Sequence, residues 1–396
     1  MLPAAETMVG VLGAGAMGAG IAQIAAMHGH SVVLADAVHD AIGRAREGHT
    51  RAMTREVEKG RITRDAADAV LHRLTYVHGM GETEIARFAP CALVVEAIVE
   101  NLQAKQELFG ALDKVVHEEA LLATNTSSLS VAAVGSACAG RERVIGMHFF
   151  NPAPVMPLVE IVPALTTNAL AVETASEFVR SWGKTAICCA DTPGFVVNRI
   201  ARPFYGESLR LVEEGISDVA TIDWAMRTFG GFKMGPFELM DFIGNDVNYA
   251  ATCSIFEAMF YDSRYRPSLL QRRLVEAGRL GRKTQRGYYD YRDGATNPAP
   301  KEDAALGKRL VDRVLAMLVN EAVHAVYLRV ASSADIELAM TKGVNYPKGL
   351  LAWGDEIGAA NVHARLLILQ ETYGEERYRP SPLLSRLAKT DARILA

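Results

Sequence analysis

The sequence predicts an α/β, doubly wound N-terminal domain followed by an all-α region in which one helical module occurs twice. Three features carry this expectation. Short apolar runs alternate with amphipathic stretches as far as about residue 190, the pattern of a parallel sheet covered on both faces. The turn Gly13-Ala14-Gly15-Ala16-Met17-Gly18 lies between the first apolar run and the first helical stretch. Residues 222–244 can be laid without gaps over residues 336–358.

In chain order, 8–12 reads as a buried strand, 16–28 as a helix and 31–35 as a second strand. A longer helical stretch, 38–72, is broken near 60–63 by Gly60. Runs at 92–95 and 120–123 are further strands, with an amphipathic segment, 101–117, between them. The apolar runs 144–147 and 158–162 are separated by a turn-like segment, 151–157, and Cys188-Cys189 ends one more apolar strand. After Asp191-Thr192-Pro193-Gly194 strand signals nearly vanish. Pro193 suits the first turn of a helix running through Val196, Asn198 and Ile200. The stretch 282–291 is turn-rich with three tyrosines, and 297–300 reads as a linker.

The repeat lies in this helical part. Ile222, Ala225, Met226, Gly235, Asp241, Ile243 and Gly244 recur as Ile336, Ala339, Met340, Gly349, Asp355, Ile357 and Gly358, seven identities in 23 positions. The same offset sets Glu207 on Glu321 and Arg199 on Arg313. The expected domains are 1–190, 191–297 and 298–396, the last a structural second copy.

Composition narrows the function. The chain has 396 residues, 49% hydrophobic and 22% charged, enough for more than one core. Lys plus Arg is 42 and Asp plus Glu 46, a net charge of -4, which gives no electrostatic case for nucleic acid or an anionic membrane. The apolar runs are too short to span a bilayer. No Lys or Arg precedes Arg44, and glycines punctuate the apolar start, so it reads as a folded element and not a signal peptide. Five cysteines, an odd number without ligand-like spacing, point to a reduced cytoplasmic protein with neither a disulfide framework nor a metal site.

The glycine turn sits where a strand meets a helix. There Gly13 serves a tight turn, Gly15 lets backbone approach a pyrophosphate, and Gly18 lets helix pack on sheet, while the helix N-terminus offers N–H groups to phosphate. Asp36, eighteen residues after Gly18, ends the second strand where a carboxylate binds ribose hydroxyls. Ala37, not an arginine, follows it, which favours NAD over NADP. A glycine-rich turn without a ligand is the plainer reading of this motif alone.

His148 closes one apolar run and Glu160 lies in the next. If the runs pair, the carboxylate faces the imidazole and fixes the tautomer of a general base. A single histidine on an apolar strand is also a common hydrogen-bonded core residue. Asn125-Thr126-Ser127-Ser128 follows a strand at the carboxyl edge of the sheet, where hydroxyls can hold a substrate oxygen. The same residues, Ser128 above all, could instead cap a helix starting near Leu129. Asn198 reaches this cleft if its helix packs beneath it.

Taken together, Gly-Ala-Gly-Ala-Met-Gly, Val95-Glu-Ala-Ile-Val-Glu100-Asn, Asn125-Thr-Ser-Ser-Leu129, Met147-His-Phe-Phe-Asn-Pro, Asp191-Thr-Pro-Gly-Phe-Val-Val-Asn-Arg199 and Met234-Gly-Pro-Phe-Glu-Leu resemble the L-3-hydroxyacyl-CoA dehydrogenases. The resemblance spans residues 8–291, and the tail resembles the extra module of longer members. It implies oxidation of an L-3-hydroxyacyl-CoA to the 3-ketoacyl-CoA with NAD as acceptor, in fatty-acid or aromatic-acid degradation. It implies that His148 is the base, oriented by Glu160, and that Ser127 and Asn198 bind the substrate oxygen. It further implies NAD contacts from Gly13, Gly15, Ala16, Met17, Gly18, Asp36, Glu100, Lys105, Asn125, Ser127, Asn151 and Lys283, and a CoA contact from Lys59. Ala52 stands where members carry a CoA-binding serine.

Two other readings fit the fold: a dehydrogenase of a free hydroxy acid or sugar acid, and a non-catalytic NAD-binding protein. An acyl-CoA is the expected partner. The chain is expected either as a homodimer or as a monomer in which the second module replaces the partner.

Overall fold

The computed structural model describes residues 7–390 and 392–395; the expected domain limits at residues 1 and 396 lie outside them. The chain divides into a unit ending at Thr192 and a unit beginning at Pro193.

The first unit is built on eight strands: β1 (Met8–Leu12), β2 (Ser31–Asp36), β3 (Leu74–His78), β4 (Leu93–Glu96), β5 (Leu121–Thr124), β6 (Val144–Phe149), β7 (Leu158–Pro163) and β8 (Thr185–Cys188). They form one sheet in the order β3-β2-β1-β4-β5-β6-β7-β8. Every pairing is parallel except β6–β7, which is antiparallel. Val9, Val11, Leu34 and Val95 on one face and Leu12, Val33, Val94 and Leu122 on the other are all buried, as a sheet covered on both faces requires. The order reverses beside β1, so its carboxyl end borders the crevice where open α/β sheets take ligands.

Helices α1 (Ala16–Met27), α2 (His39–Glu58) and α3 (Arg64–His72) lie near the expected bounds, and the break between the last two ends at Thr63, which accepts the Ala66 N–H at 3.2 Å. The edge strand β3 escaped the sequence reading because Thr75 and His78 are exposed and its apolar pattern is ragged. A second departure concerns the loop after β5. The next helix is Val131–Gly135, capped by Ser130, so Ser128 is not its cap.

The second unit is helical. Its first helix is Val197–Ile200, shorter than expected: Gly194 and Phe195 adopt φ of 75° and 47°, which keeps Pro193 out of a helical turn. Ala201 separates it from helix Arg202–Glu213, whose first turn contains Pro203. In the second copy the corresponding stretch has Met317 in place of that proline, and helix Ala304–Tyr327 runs unbroken.

The two copies are alike in detail. Gly244 and Gly358 hold φ of 107° and 88° between helix pairs, a conformation that explains their recurrence. A side chain on Gly235 would strike Asp223, and one on Gly349 would strike Glu337, its counterpart. Asp223 and Glu337 each accept two backbone N–H groups of the helix that follows. The copies also exchange ion pairs. Arg199 Nε donates to Glu321 at 2.8 Å and Arg313 Nε to Glu207 at 2.5 Å, all four side chains buried. Tyr265 and Tyr378 complete the exchange, the first donating its hydroxyl to Glu321 at 2.5 Å and the second to Glu207 at 2.7 Å.

Candidate active site

The glycine turn is explained residue by residue. Gly13 has φ 98°, and a Cβ there would lie 2.4 Å from the Ala97 carbonyl oxygen. A Cβ on Gly18 would fall 1.8 Å from the Gly13 oxygen, so only glycine lets α1 begin this close to β1. Gly15 is different: a Cβ there meets nothing within 4 Å. The protein's own packing therefore does not require glycine at this position, whereas close approach by a ligand does. α1 has no side-chain cap at Gly15, leaving its amino end available to an anion. A cavity of about 320 Å³ lined by Gly15, Ala16, Arg44, His49 and Pro154 adjoins it. Open space, a bare helix terminus and an arginine fit a dinucleotide diphosphate.

Asp36 holds the turn as well as facing it. Its Oδ2 accepts the Ala14 N–H at 2.6 Å and its Oδ1 the Val38 N–H at 2.7 Å. Met17 is half-buried on the first turn of α1.

Glu100 organises the far side of the crevice. Its Oε1 accepts the hydroxyls of Thr126 at 2.6 Å and Ser128 at 2.7 Å, and the N–H groups of Ser127 and Ser128 at 3.2 Å. Burial alone would raise this carboxyl, but the bonds from Thr126 and Ser128 and the Lys105 charge outweigh it and hold it below the usual glutamate range. Ser128 is thus committed to Glu100, while Ser127 is exposed. Lys105 departs from a simple cofactor contact. Its side chain is 1% exposed, and its ammonium lies 2.6 Å from Glu96 and 3.2 Å from Glu100. Sequence reasoning assigned no role to Glu96, and offered the Thr126 hydroxyl to a substrate oxygen where the structure commits it to Glu100. Glu96 also accepts the Thr124 hydroxyl at 2.7 Å, so a buried charged pair underlies the exposed loop.

His148 and Glu160 are direct partners in the β6–β7 ladder. Nδ1 of His148 lies 2.6 Å from Glu160 Oε2, and the two side chains are 7% and 0% exposed. A carboxylate on Nδ1 favours the tautomer that carries its proton on that nitrogen. Phe150 packs beside the imidazole, ring centres 4.6 Å apart. Asn125 is half-buried and accepts the Phe149 N–H at 2.8 Å, tying the loop after β5 to β6. Asn151 is exposed at the end of β6.

Lys59 is exposed immediately after α2. Ala52 lines a cavity of about 480 Å³ that also includes Arg55, Arg61 and Lys184. In the second unit Asn198 sits on the short helix Val197–Ile200, its carbonyl accepting Arg202 Nε at 2.8 Å. Lys283 follows Gly281 and pairs with Asp246 at 2.6 Å. Among the described residues no cluster could hold a metal ion, and no helix is long and apolar enough to cross a membrane.

A doubly wound sheet, a glycine turn open to a diphosphate and a buried His–Glu pair define an NAD-binding oxidoreductase. Residues 8–192 match the family described as "3-hydroxyacyl-CoA dehydrogenase, NAD binding domain". Residues 194–291 and, separately, 310–393 match "3-hydroxyacyl-CoA dehydrogenase, C-terminal domain". The chain belongs to the 3-hydroxyacyl-CoA dehydrogenase family and is an NAD-dependent oxidoreductase. It is 39% identical to the 3-hydroxyadipyl-CoA dehydrogenase of Escherichia coli, over 96% of this chain and 97% of that one. It is 41% identical to a probable 3-hydroxybutyryl-CoA dehydrogenase of Deinococcus radiodurans, over 71% of this chain and 99% of that one. A crystal structure of 3-hydroxybutyryl-CoA dehydrogenase from Escherichia coli superimposes with a TM-score of 0.91 at 37% identity, covering 98% of this chain and 99% of that one.

Proposed function

We propose that the chain oxidises the 3-hydroxyl of an L-3-hydroxyacyl-CoA to a ketone, with His148 as general base. The observation that carries this is the 2.6 Å contact between His148 Nδ1 and Glu160. NAD bound at the glycine turn would supply the hydride acceptor for C3. His148 Nε2 removes the hydroxyl proton, and the Glu160 carboxylate holds the ring and stabilises the imidazolium that results. Burial of both groups strengthens that interaction over its value in water. Ser127 and Asn198 hydrogen-bond the substrate oxygen, and Lys59 meets a CoA phosphate.

Gly13, Gly15, Ala16, Met17 and Gly18 receive the diphosphate and Asp36 the ribose. Glu100, Asn125, Ser127, Asn151 and Lys283 line the remaining NAD site. Lys105, being buried, acts on that site by holding Glu100. The second helical copy serves as an internal partner, a reading supported by the exchanged Arg199–Glu321 and Arg313–Glu207 pairs. We place the enzyme in the cytoplasm, in the breakdown of fatty or aromatic acids.

The test is Glu160→Gln: turnover of an acyl-CoA falls by roughly 10²-fold or more while NAD affinity holds. Full activity in that variant would make the pair a packing feature.

A further inference from the structure

Lys184 stands directly before β8, half-buried, and its ammonium donates to the carbonyls of Ala153 and Met156, each at 2.7 Å. Among the described residues no carboxylate pairs with it. Glu56, which lines the same cavity of about 480 Å³, is held by Arg61 at 3.2 Å. Burial pushes the Lys184 ammonium below the usual lysine range, so the charge is unfavourable where it sits. A methionine of similar length would fill the space without that penalty. Packing therefore leaves the charge unexplained, and the two bonds are what it adds.

Both bonds end on one segment. Residues 150–157 join β6 to β7, and within them Val155 and Met156 each donate an N–H to the Pro152 carbonyl at 3.0 Å. Two neighbouring elements grip the turn so formed. Ala153 is 1% exposed and lies on α1, where a Cβ on Gly20 would come 3.1 Å from the Ala153 Cβ and 3.0 Å from Pro154 Cδ. Lys184, together with the Thr185 N–H that donates to the Pro157 carbonyl at 2.7 Å, ties the turn to β8.

Asn151 enters this turn. His148, three residues earlier, is fixed by Glu160, but among the described residues no side-chain hydrogen bond holds Asn151, which is exposed. Its place is set by the backbone alone. Ala153, whose carbonyl Lys184 binds, is two residues on, within about 7 Å along the chain.

We propose that Lys184 is a positioning residue for the NAD site: by fixing the turn 152–156 it sets where Asn151 is presented. The proposal rests on the assignment of Asn151 to NAD given above and names the group that keeps it in place.

A thermodynamic cycle on NAD affinity, read by fluorescence titration, tests it. Lys184→Met and Asn151→Ala should each weaken NAD by roughly three- to tenfold, the effect of one hydrogen bond. The double variant should bind no more weakly than Asn151→Ala alone, because Lys184 acts through Asn151. Lys184→Arg, which keeps a charged donor, should restore most of the affinity. If Lys184→Met does not fold, Lys184→Gln takes its place in the cycle. Effects of the two substitutions that add, or full affinity in the neutral Lys184 variant, overturn the proposal while leaving Asn151 at the NAD site. Full affinity in Asn151→Ala overturns that assignment and the proposal with it.

Discussion

His148 and Glu160 face each other across the antiparallel β6–β7 ladder with Nδ1 2.6 Å from the carboxylate, and neither side chain is more than 7% exposed. A hairpin register, and not a mobile loop, sets this geometry, so the imidazole is oriented before substrate arrives. His148→Gln therefore lowers kcat by roughly 10²–10⁴-fold with little change in KM for the acyl-CoA. Steady-state kinetics against NADH absorbance measure it.

Gly15 and Gly18 separate binding from folding. Gly15→Val should leave the melting temperature within a degree or two and weaken NAD by roughly tenfold or more, because the space it fills belongs to the diphosphate. Gly18→Ala should destabilise the protein by about 1–3 kcal/mol, since its methyl group has nowhere to go but into the Gly13 carbonyl. Calorimetry and a fluorescence titration of NAD distinguish the two effects.

The exchanged pairs make each helical copy dependent on the other. Glu321→Gln leaves Arg199 buried without its charge partner and should cost about 3–5 kcal/mol in urea unfolding. Truncation after residue 297 should remove the partner of Glu207 and expose the face that helix Ala304–Tyr327 covers, giving an insoluble or self-associating fragment. A truncated protein that stays monomeric and equally stable would refute the internal-partner role.

His324 gives this unit an acid sensitivity. Burial, reinforced by the Arg264 charge, lowers its pKa to about 4. The unfolded chain takes up this proton near pH 6.5 and the folded chain only near 4, so stability is complete above pH 6.5 and declines as pH falls through that window. Allowing for the partial exposure of the ring, the loss is about 1–2 kcal/mol. His324→Asn should flatten the unfolding free energy between pH 6.5 and 4.

Much of this was legible in the sequence where one motif determined one local structure. The glycine turn, Asp36 and the strand–turn–strand run from His148 to Glu160 are short-range patterns, and the ladder paired the two residues directly. The repeat was legible because Gly244 and Gly358 must hold positive φ and Gly235 and Gly349 must clear a carboxylate. What was hidden depended on distant partners. Burial of Lys105 on its helix follows from Glu96 at the end of β4, and the engagement of Ser128 from Glu100 in another loop.

The most direct test of the central claim follows NADH absorbance with acetoacetyl-CoA as oxidant, wild type beside His148→Gln, with free acetoacetate as control. The account predicts NADH oxidation with the thioester, lost in the variant, and none with the free acid. Equal activity in the His148→Gln variant, or oxidation with free acetoacetate instead of the thioester, would contradict it.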